Sequence, residues 1–125
     1  MEYPADLKYT DDHEWLRVED DTGTVGITDF AQRELTDIVF IELPSVGDEI
    51  AQGETFGTIE AIKAVSDLFC PVDGKVIEVN EELADHPEWV NDDPYGTGWM
   101  IKVELTDPDQ AEALLTADQY KENVE

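Results

Sequence analysis

Short apolar runs, broken by turn residues roughly every eight to twelve positions, constrain this chain more than any other feature it has. That rhythm predicts strands over residues 13–19, 24–27, 37–43, 55–62, 65–70, 74–79 and 99–105, with breakers at 20–23, 44–48, 71–74 and 91–98. The last strand alternates cleanly, with Ile101, Val103 and Leu105 on one face and Met100, Lys102 and Glu104 on the other, as expected at an edge or on a half-exposed face. The run Ile38-Val39-Phe40-Ile41 is apolar on both faces, so it is expected to be buried between layers or to close a barrel. Three helical pieces interrupt the pattern: one after Ile27 with Thr28 as its cap, one around 81–89, and one over 108–123. In the last, Pro108 suits the first turn, Ala111, Leu114, Leu115 and Ala117 form an apolar stripe, and Thr116 divides it.

The expected fold is therefore mainly β: a flattened barrel or sandwich with a few short helices, including a C-terminal helical segment. The 125 residues fit one domain, 1–125, and 41% hydrophobic residues suffice for a core. Seven basic residues against 32 acidic ones give a net charge of −25. Such a surface repels phosphate backbones and anionic lipid faces, which argues against nucleic acid and membrane partners, and its like charge favours a monomer. The acids are spread along the chain rather than gathered in a tail, so a globally acidic surface of the salt-adapted kind is expected. One cysteine excludes an internal disulfide, no Cys/His spacing suits zinc, and Met1 to Thr10 lacks a basic-then-apolar leader. A cytoplasmic location is the expectation.

Lys63 stands out as the only basic residue between Glu34 and Gly74. Turn chemistry does not place it, because Ile62-Lys63-Ala64-Val65 has no Gly, Asn or Asp for a positive-φ hairpin position. A continuous strand and a hairpin tip both remain open there. His13 has no nucleophile beside it in a recognisable pattern, so a packing or hydrogen-bonding role is expected. His86 is expected to be exposed, Cys70 to pack, Trp15, Tyr95 and Trp99 to be core aromatics, and Gly96 and Gly98 to serve a turn.

The segment GTIEAIKAVSD resembles the lipoyl-attachment hairpin of glycine cleavage H proteins, with Glu60 three residues before Lys63 and Ala64 after it. YTDDHEW, VGITDFAQ, DIVFIELPSVGD, CPVDGKVIEVNEEL and NDDPYGTGWMIK resemble the same family in its order, over nearly the whole chain. Biotin-carrier domains flank their lysine with Met, and lipoyl domains of 2-oxoacid dehydrogenases are shorter with an Asp before the lysine. Neither pattern fits Ile62-Lys63-Ala64. Ile62 stands where the family more often has Val.

The resemblance implies a lipoyl-domain-like fold and a carrier that is not an enzyme. Its lipoate would be attached to Lys63 by a lipoate ligase or lipoyl/octanoyl transferase. The arm would take an aminomethyl group from a pyridoxal-phosphate glycine decarboxylase and present it to a tetrahydrofolate-dependent aminomethyltransferase. A flavin-containing dihydrolipoyl dehydrogenase would then reoxidise it. A cationic cargo calls for a partly dry cleft near carboxylates, for which Glu14 and Asp67 are the candidates and Asp12 a third. The alternative is a relay that passes lipoate or octanoate from Lys63 to other apoproteins.

Overall fold

The computed structural model describes residues 2–124; Met1 and Glu125, the ends of the expected 1–125 domain, lie outside the described residues. Two antiparallel sheets carry the chain. The larger runs in the order β1 (Lys8–Tyr9), β2 (Glu14–Glu19), β3 (Thr22–Ile27), β9 (Ile101–Leu105), β8 (Gly74–Val79) and β5 (Glu49–Ile50). The smaller consists of β4 (Ile38–Glu42), β6 (Thr55–Ala61) and β7 (Val65–Phe69), in that order. Neither sheet closes into a barrel, so the mainly β expectation holds in its sandwich form. β1 and β5 are two residues each, too short to carry a period that a sequence would show.

Two strand expectations need correction. β9 alternates with one half-exposed face, as one of the two expected readings has it: Ile101, Val103 and Leu105 are buried and Glu104 is exposed, and the strand lies between β3 and β8 rather than at an edge. Met100, assigned to the outer face, is fully buried because it precedes the strand and packs into the core. The run 38–41 is not sandwiched between layers either. β4 is an edge strand with a bulge between Ile38 and Phe40, so two successive side chains, Val39 and Phe40, both face outward at 52% and 48% exposure while Ile38 and Ile41 face in.

The helices follow their local signals. Thr28 caps α1 (Asp29–Leu35), its Oγ1 accepting the Ala31 N–H at 3.2 Å. The 81–89 piece divides into a 3-10 turn, Glu81–Ala84, and α2 (Glu88–Asp92), because Pro87 supplies no donor and takes the N-cap of α2. The C-terminal piece divides at Thr116, as expected, into α3 (Asp109–Glu112) and α4 (Ala117–Val124), with Pro108 at the N-cap of α3 rather than inside its first turn. Thr116 Oγ1 accepts the Gln119 N–H at 3.2 Å while Gln119 Oε1 accepts the Thr116 N–H at 3.0 Å, a reciprocal cap that starts α4.

The main core gathers Val25, Ile59, Val76, Met100, Ile101 and Val103 from both sheets. A second cluster, Leu7, Tyr9, Trp15 and Tyr120, lies outside it and ties α4 to the β1–β2 hairpin, with Tyr9 and Tyr120 stacked 4.9 Å apart. This second cluster fixes the hairpin that carries Glu14.

Candidate functional site

Lys63 occupies a true hairpin tip. β6 and β7 pair through Glu60 and Val65, the Ala61 N–H donates to Ala64 O at 2.8 Å, and the Ile62 N–H donates across to Asp37 O at 3.0 Å. No residue of the loop 62–64 takes a positive φ. The turn therefore makes no demand for Gly or Asn, which is why turn chemistry could not mark it. Lys63 is exposed and, among the described residues, forms no ion pair. Its flanks Ile62 and Val65 stand 74% and 65% exposed. Glu60 is exposed opposite Phe40, and Ala64 contributes its backbone carbonyl to the tip.

The β1–β2 connection is built quite differently. Thr10 and Glu14 bracket a three-residue loop, Asp11-Asp12-His13, closed by Thr10 N–H to Glu14 O at 3.0 Å and His13 N–H to Thr10 O at 3.2 Å. Such a loop places its third residue in the left-handed region, and His13 does so at φ +72°. That conformation costs a non-glycine residue about 1–2 kcal/mol. Packing offsets it: the His13 ring lies 4.8 Å from Phe30, and its Nδ1 is 2.7 Å from the Tyr120 hydroxyl. The same hydroxyl is 2.8 Å from Thr28 Oγ1, so one phenol joins the hairpin, the cap of α1 and α4. Burial lowers the His13 pKa against the upward pull of Asp12, Asp11 and Glu34. The expected packing and hydrogen-bonding role of His13 is what the structure shows.

Directed inward by this loop, Glu14 is 2% exposed. Its Oε1 accepts from Thr10 Oγ1 at 2.9 Å, and its Oε2 accepts from the Phe69 N–H at 3.4 Å. Burial pushes its pKa up to about 8, with Asp12 adding to the rise and the two hydrogen bonds opposing it. Glu14 borders two clefts, each of about 270 Å³. One, between α1 and β7, brings together all three acids expected at a cleft: buried Glu14 and exposed Asp12 and Asp67 line it, with Phe30 and Ile59 as apolar wall. The other lies towards Thr10, Phe69, Cys70 and Leu114. Asp67 sits on β7 four residues beyond Lys63, so at most about 14 Å of chain separates them.

The remaining candidates pack as expected. Cys70 is buried, its thiol donating to Val72 O at 3.1 Å, and burial raises its pKa to about 11. His86 stacks on Trp89 at 4.6 Å on the surface. The Trp15 indole donates to Pro94 O at 3.0 Å, with Tyr95 and Trp99 partly buried around the same cluster. Gly96 and Gly98 lie in the turn after α2. Among the described residues no grouping of His, Cys, Asp or Glu could hold a metal ion, and no helix is long and apolar enough to cross a membrane.

The described site is thus an exposed lysine on an unstrained tip and a cleft bordered by acids. The family model for the glycine cleavage H-protein matches residues 7–125. The chain belongs to the glycine cleavage H-protein family. It is 58% identical over 124 residues to the glycine cleavage system H protein of Staphylococcus haemolyticus and 56% identical to that of Staphylococcus saprophyticus, covering 99% of this chain and 98% of each relative. A crystal structure of a glycine cleavage system H protein from Mycobacterium marinum superposes with a TM-score of 0.90 at 40% identity, covering 97% of this chain and 98% of that one. The chain is thus an H protein, the lipoyl shuttle of the glycine cleavage system. Its staphylococcal relatives lend no support to a salt-adapted source, and the acidic surface stands without that explanation.

Thr10, Phe30 and Tyr120 escaped the sequence reading. Tyr120 continues the helical stripe of Ala117 at a spacing of three, so periodicity carried a signal for it. Phe30 acquires its role only when the hairpin meets α1, whereas Thr10 acquires its own from the folded β1–β2 loop, which brings its hydroxyl to Glu14 Oε1.

Proposed function

We propose that Lys63 is the lipoylated residue, that Glu60 and Ala64 belong to the motif a modifying enzyme reads, and that the cleft of Glu14, Asp67 and Asp12 shelters the cationic amine cargo. One observation carries this reading: acids from the β1–β2 loop and from β7 converge in one cleft, and Asp67 there lies four residues, at most about 14 Å of chain, from a lysine that forms no ion pair among the described residues. That span suits a lysine side chain lengthened by a medium-chain acyl group. Lys63 fits the attachment because acylation of its amine breaks no ion pair among the described residues and its tip is exposed. The attached dithiolane supplies the redox and group-transfer chemistry.

The chain's own residues bind and shield. The Glu14 carboxylate, poorly solvated, attracts a cation more strongly than an exposed acid does. Asp67 and Asp12 add negative potential at the mouth, while Phe30, Ile59 and the neighbouring Leu35 keep water from one wall. As a member of a family of carrier proteins, the protein acts as a substrate of its partners rather than as an enzyme. Those partners are the pyridoxal-phosphate glycine decarboxylase, the tetrahydrofolate-dependent aminomethyltransferase, the flavin-containing dihydrolipoyl dehydrogenase, and the ligase or transferase that installs lipoate. A charge of −25 favours a monomeric carrier, and the free, buried Cys70 agrees with a reducing, cytoplasmic setting.

Incubation with a lipoate ligase, ATP and lipoate should add the mass of one lipoyl group, mapping to Lys63. An unmodified Lys63 would overturn the reading. The modified protein should then support exchange between bicarbonate and the glycine carboxyl with the decarboxylase. Failure of exchange, with transfer of lipoate to another apoprotein, would identify a relay instead.

A further inference from the structure

We propose that the outer face of the smaller sheet, where Val39, Phe40, Ile62 and Val65 stand exposed beside the Lys63 tip, is the seat of the enzyme that attaches lipoate. That enzyme meets it with an apolar patch inside a basic rim. The inference rests on the reading of Lys63 as the attachment residue and names the surface by which one partner finds it.

Strand register builds the face. Phe40, Glu60 and Val65 are successive partners across β4, β6 and β7, so their side chains share one side of the sheet. Phe40 and Val65 are therefore about 10 Å apart, with Glu60 between them. The next row on the same side, away from the tip, is Glu42, Thr58 and Asp67. The bulge between Ile38 and Phe40 is what turns Phe40 outward, since strict alternation from the buried Ile38 would bury it. Ile62 closes the patch at the tip, its N–H bonded to the carbonyl of Asp37 just before β4. Four apolar side chains gathered on the surface of a chain with a net charge of −25 mark a contact site.

Reach selects the occupant. Acylation takes place at the lysine amine itself, on a four-carbon stem, so the attaching enzyme has to bring its reacting centre almost to the tip backbone. It then covers the side chains that flank the tip. Enzymes that act on the finished arm meet its dithiolane end, a full acyl chain further out, and need no such contact. Charge sets the rim: Asp37, Glu42, Glu60 and Asp67 are all exposed around the patch, and Lys63 is the only basic residue between Glu34 and Gly74. The complementary surface is basic outside and apolar within. The same acids disfavour a second copy of this chain or an anionic lipid surface in its place.

The test measures lipoylation by a lipoate ligase with ATP and lipoate, read by intact mass over a range of carrier concentrations. Phe40→Ser should lower kcat/KM about tenfold, almost wholly through KM, the loss expected for one apolar anchor. Phe40→Leu should restore most of it, and Ile77→Ser, an exposed apolar change on β8 of the other sheet, should leave it at the wild-type value. Val65→Ser reads the same loss should Phe40→Ser fold poorly. Salt that screens the rim should raise the wild-type KM severalfold. Once fully lipoylated by excess ligase, Phe40→Ser should be reduced by NADH and dihydrolipoyl dehydrogenase at the wild-type rate. A wild-type kcat/KM in both Phe40→Ser and Val65→Ser overturns the surface alone. So does an equal slowing of the reduction step, which would give the face to the arm's other partners, or a wild-type dimer that Phe40→Ser dissolves. A KM indifferent to salt overturns the basic rim. A wild-type protein whose Lys63 takes no lipoate overturns the attachment reading and the surface with it.

Discussion

The two hairpins that make the site are built on opposite terms. At the β6–β7 tip, Lys63 sits on an unstrained loop among exposed side chains, held by backbone bonds alone. At the β1–β2 loop, a left-handed His13 is clamped by Phe30 and Tyr120 so that an acid can be buried behind it. The difference suits the two tasks proposed for them. A tether has to swing and be read by several enzymes, so freedom and exposure serve it. A cleft has to hold a cation against water, so its carboxylate must be fixed in advance, at some expense in backbone strain and desolvation.

Substitutions should separate the two hairpins sharply. Lys63→Arg should abolish lipoylation completely, seen as an unshifted intact mass, while urea denaturation moves by less than about 0.5 kcal/mol. At the cleft the effect should be thermodynamic and dependent on pH. The Glu14 pKa is raised from the usual carboxylate value to about 8, so the folded state binds the extra proton in between. Stability then falls as pH rises from about 4.5 to 8, and the penalty is complete above that range. Glu14→Gln removes this dependence. Its stability relative to wild type should climb by roughly 4 kcal/mol between pH 5 and pH 9, measured by urea denaturation at each pH. A flat difference would mean that Glu14 is no more buried than the tip.

Smaller changes refine the contrast. Tyr120→Phe deletes the hydroxyl shared by His13 and Thr28 and should destabilise by about 1–2 kcal/mol, with faster amide exchange in α4 than in β6 and β7. Ile62→Thr, at a side chain that is 74% exposed, should change stability by less than about 0.5 kcal/mol. A larger loss there would show that the tip is packed after all.

The sequence disclosed these regions unequally, for physical reasons. Strands of five or more residues announce themselves by composition and punctuation, and Thr28 and Thr116 announce their helices by capping. The β4 bulge was hidden because two outward apolar residues read the same as a buried run. For β9 the alternation marks a half-exposed face but leaves an edge and an interior position equally open, because it reports which faces differ, not which neighbours pair. Lys63 was legible through resemblance, since a turn without positive φ leaves no local mark. Glu14, Asp67 and Asp12 are legible as one cleft only through resemblance, since it takes the meeting of the β1–β2 loop with β7 and α1 to bring them together. Thr10 was invisible because its part depends on the folded loop, which alone brings its hydroxyl to Glu14 Oε1.

Backbone amide NMR of the unmodified, lipoylated and glycine-loaded protein tests most directly the claim that a free tip serves a prebuilt cleft. Lipoylation should shift Ile62 to Val65, and loading with decarboxylase and glycine should then shift His13, Glu14, Asp67 and Phe69 while leaving β5 and β8 unmoved. Shifts confined to 62–65 in the loaded protein would contradict the account, because the cargo would then never reach the cleft.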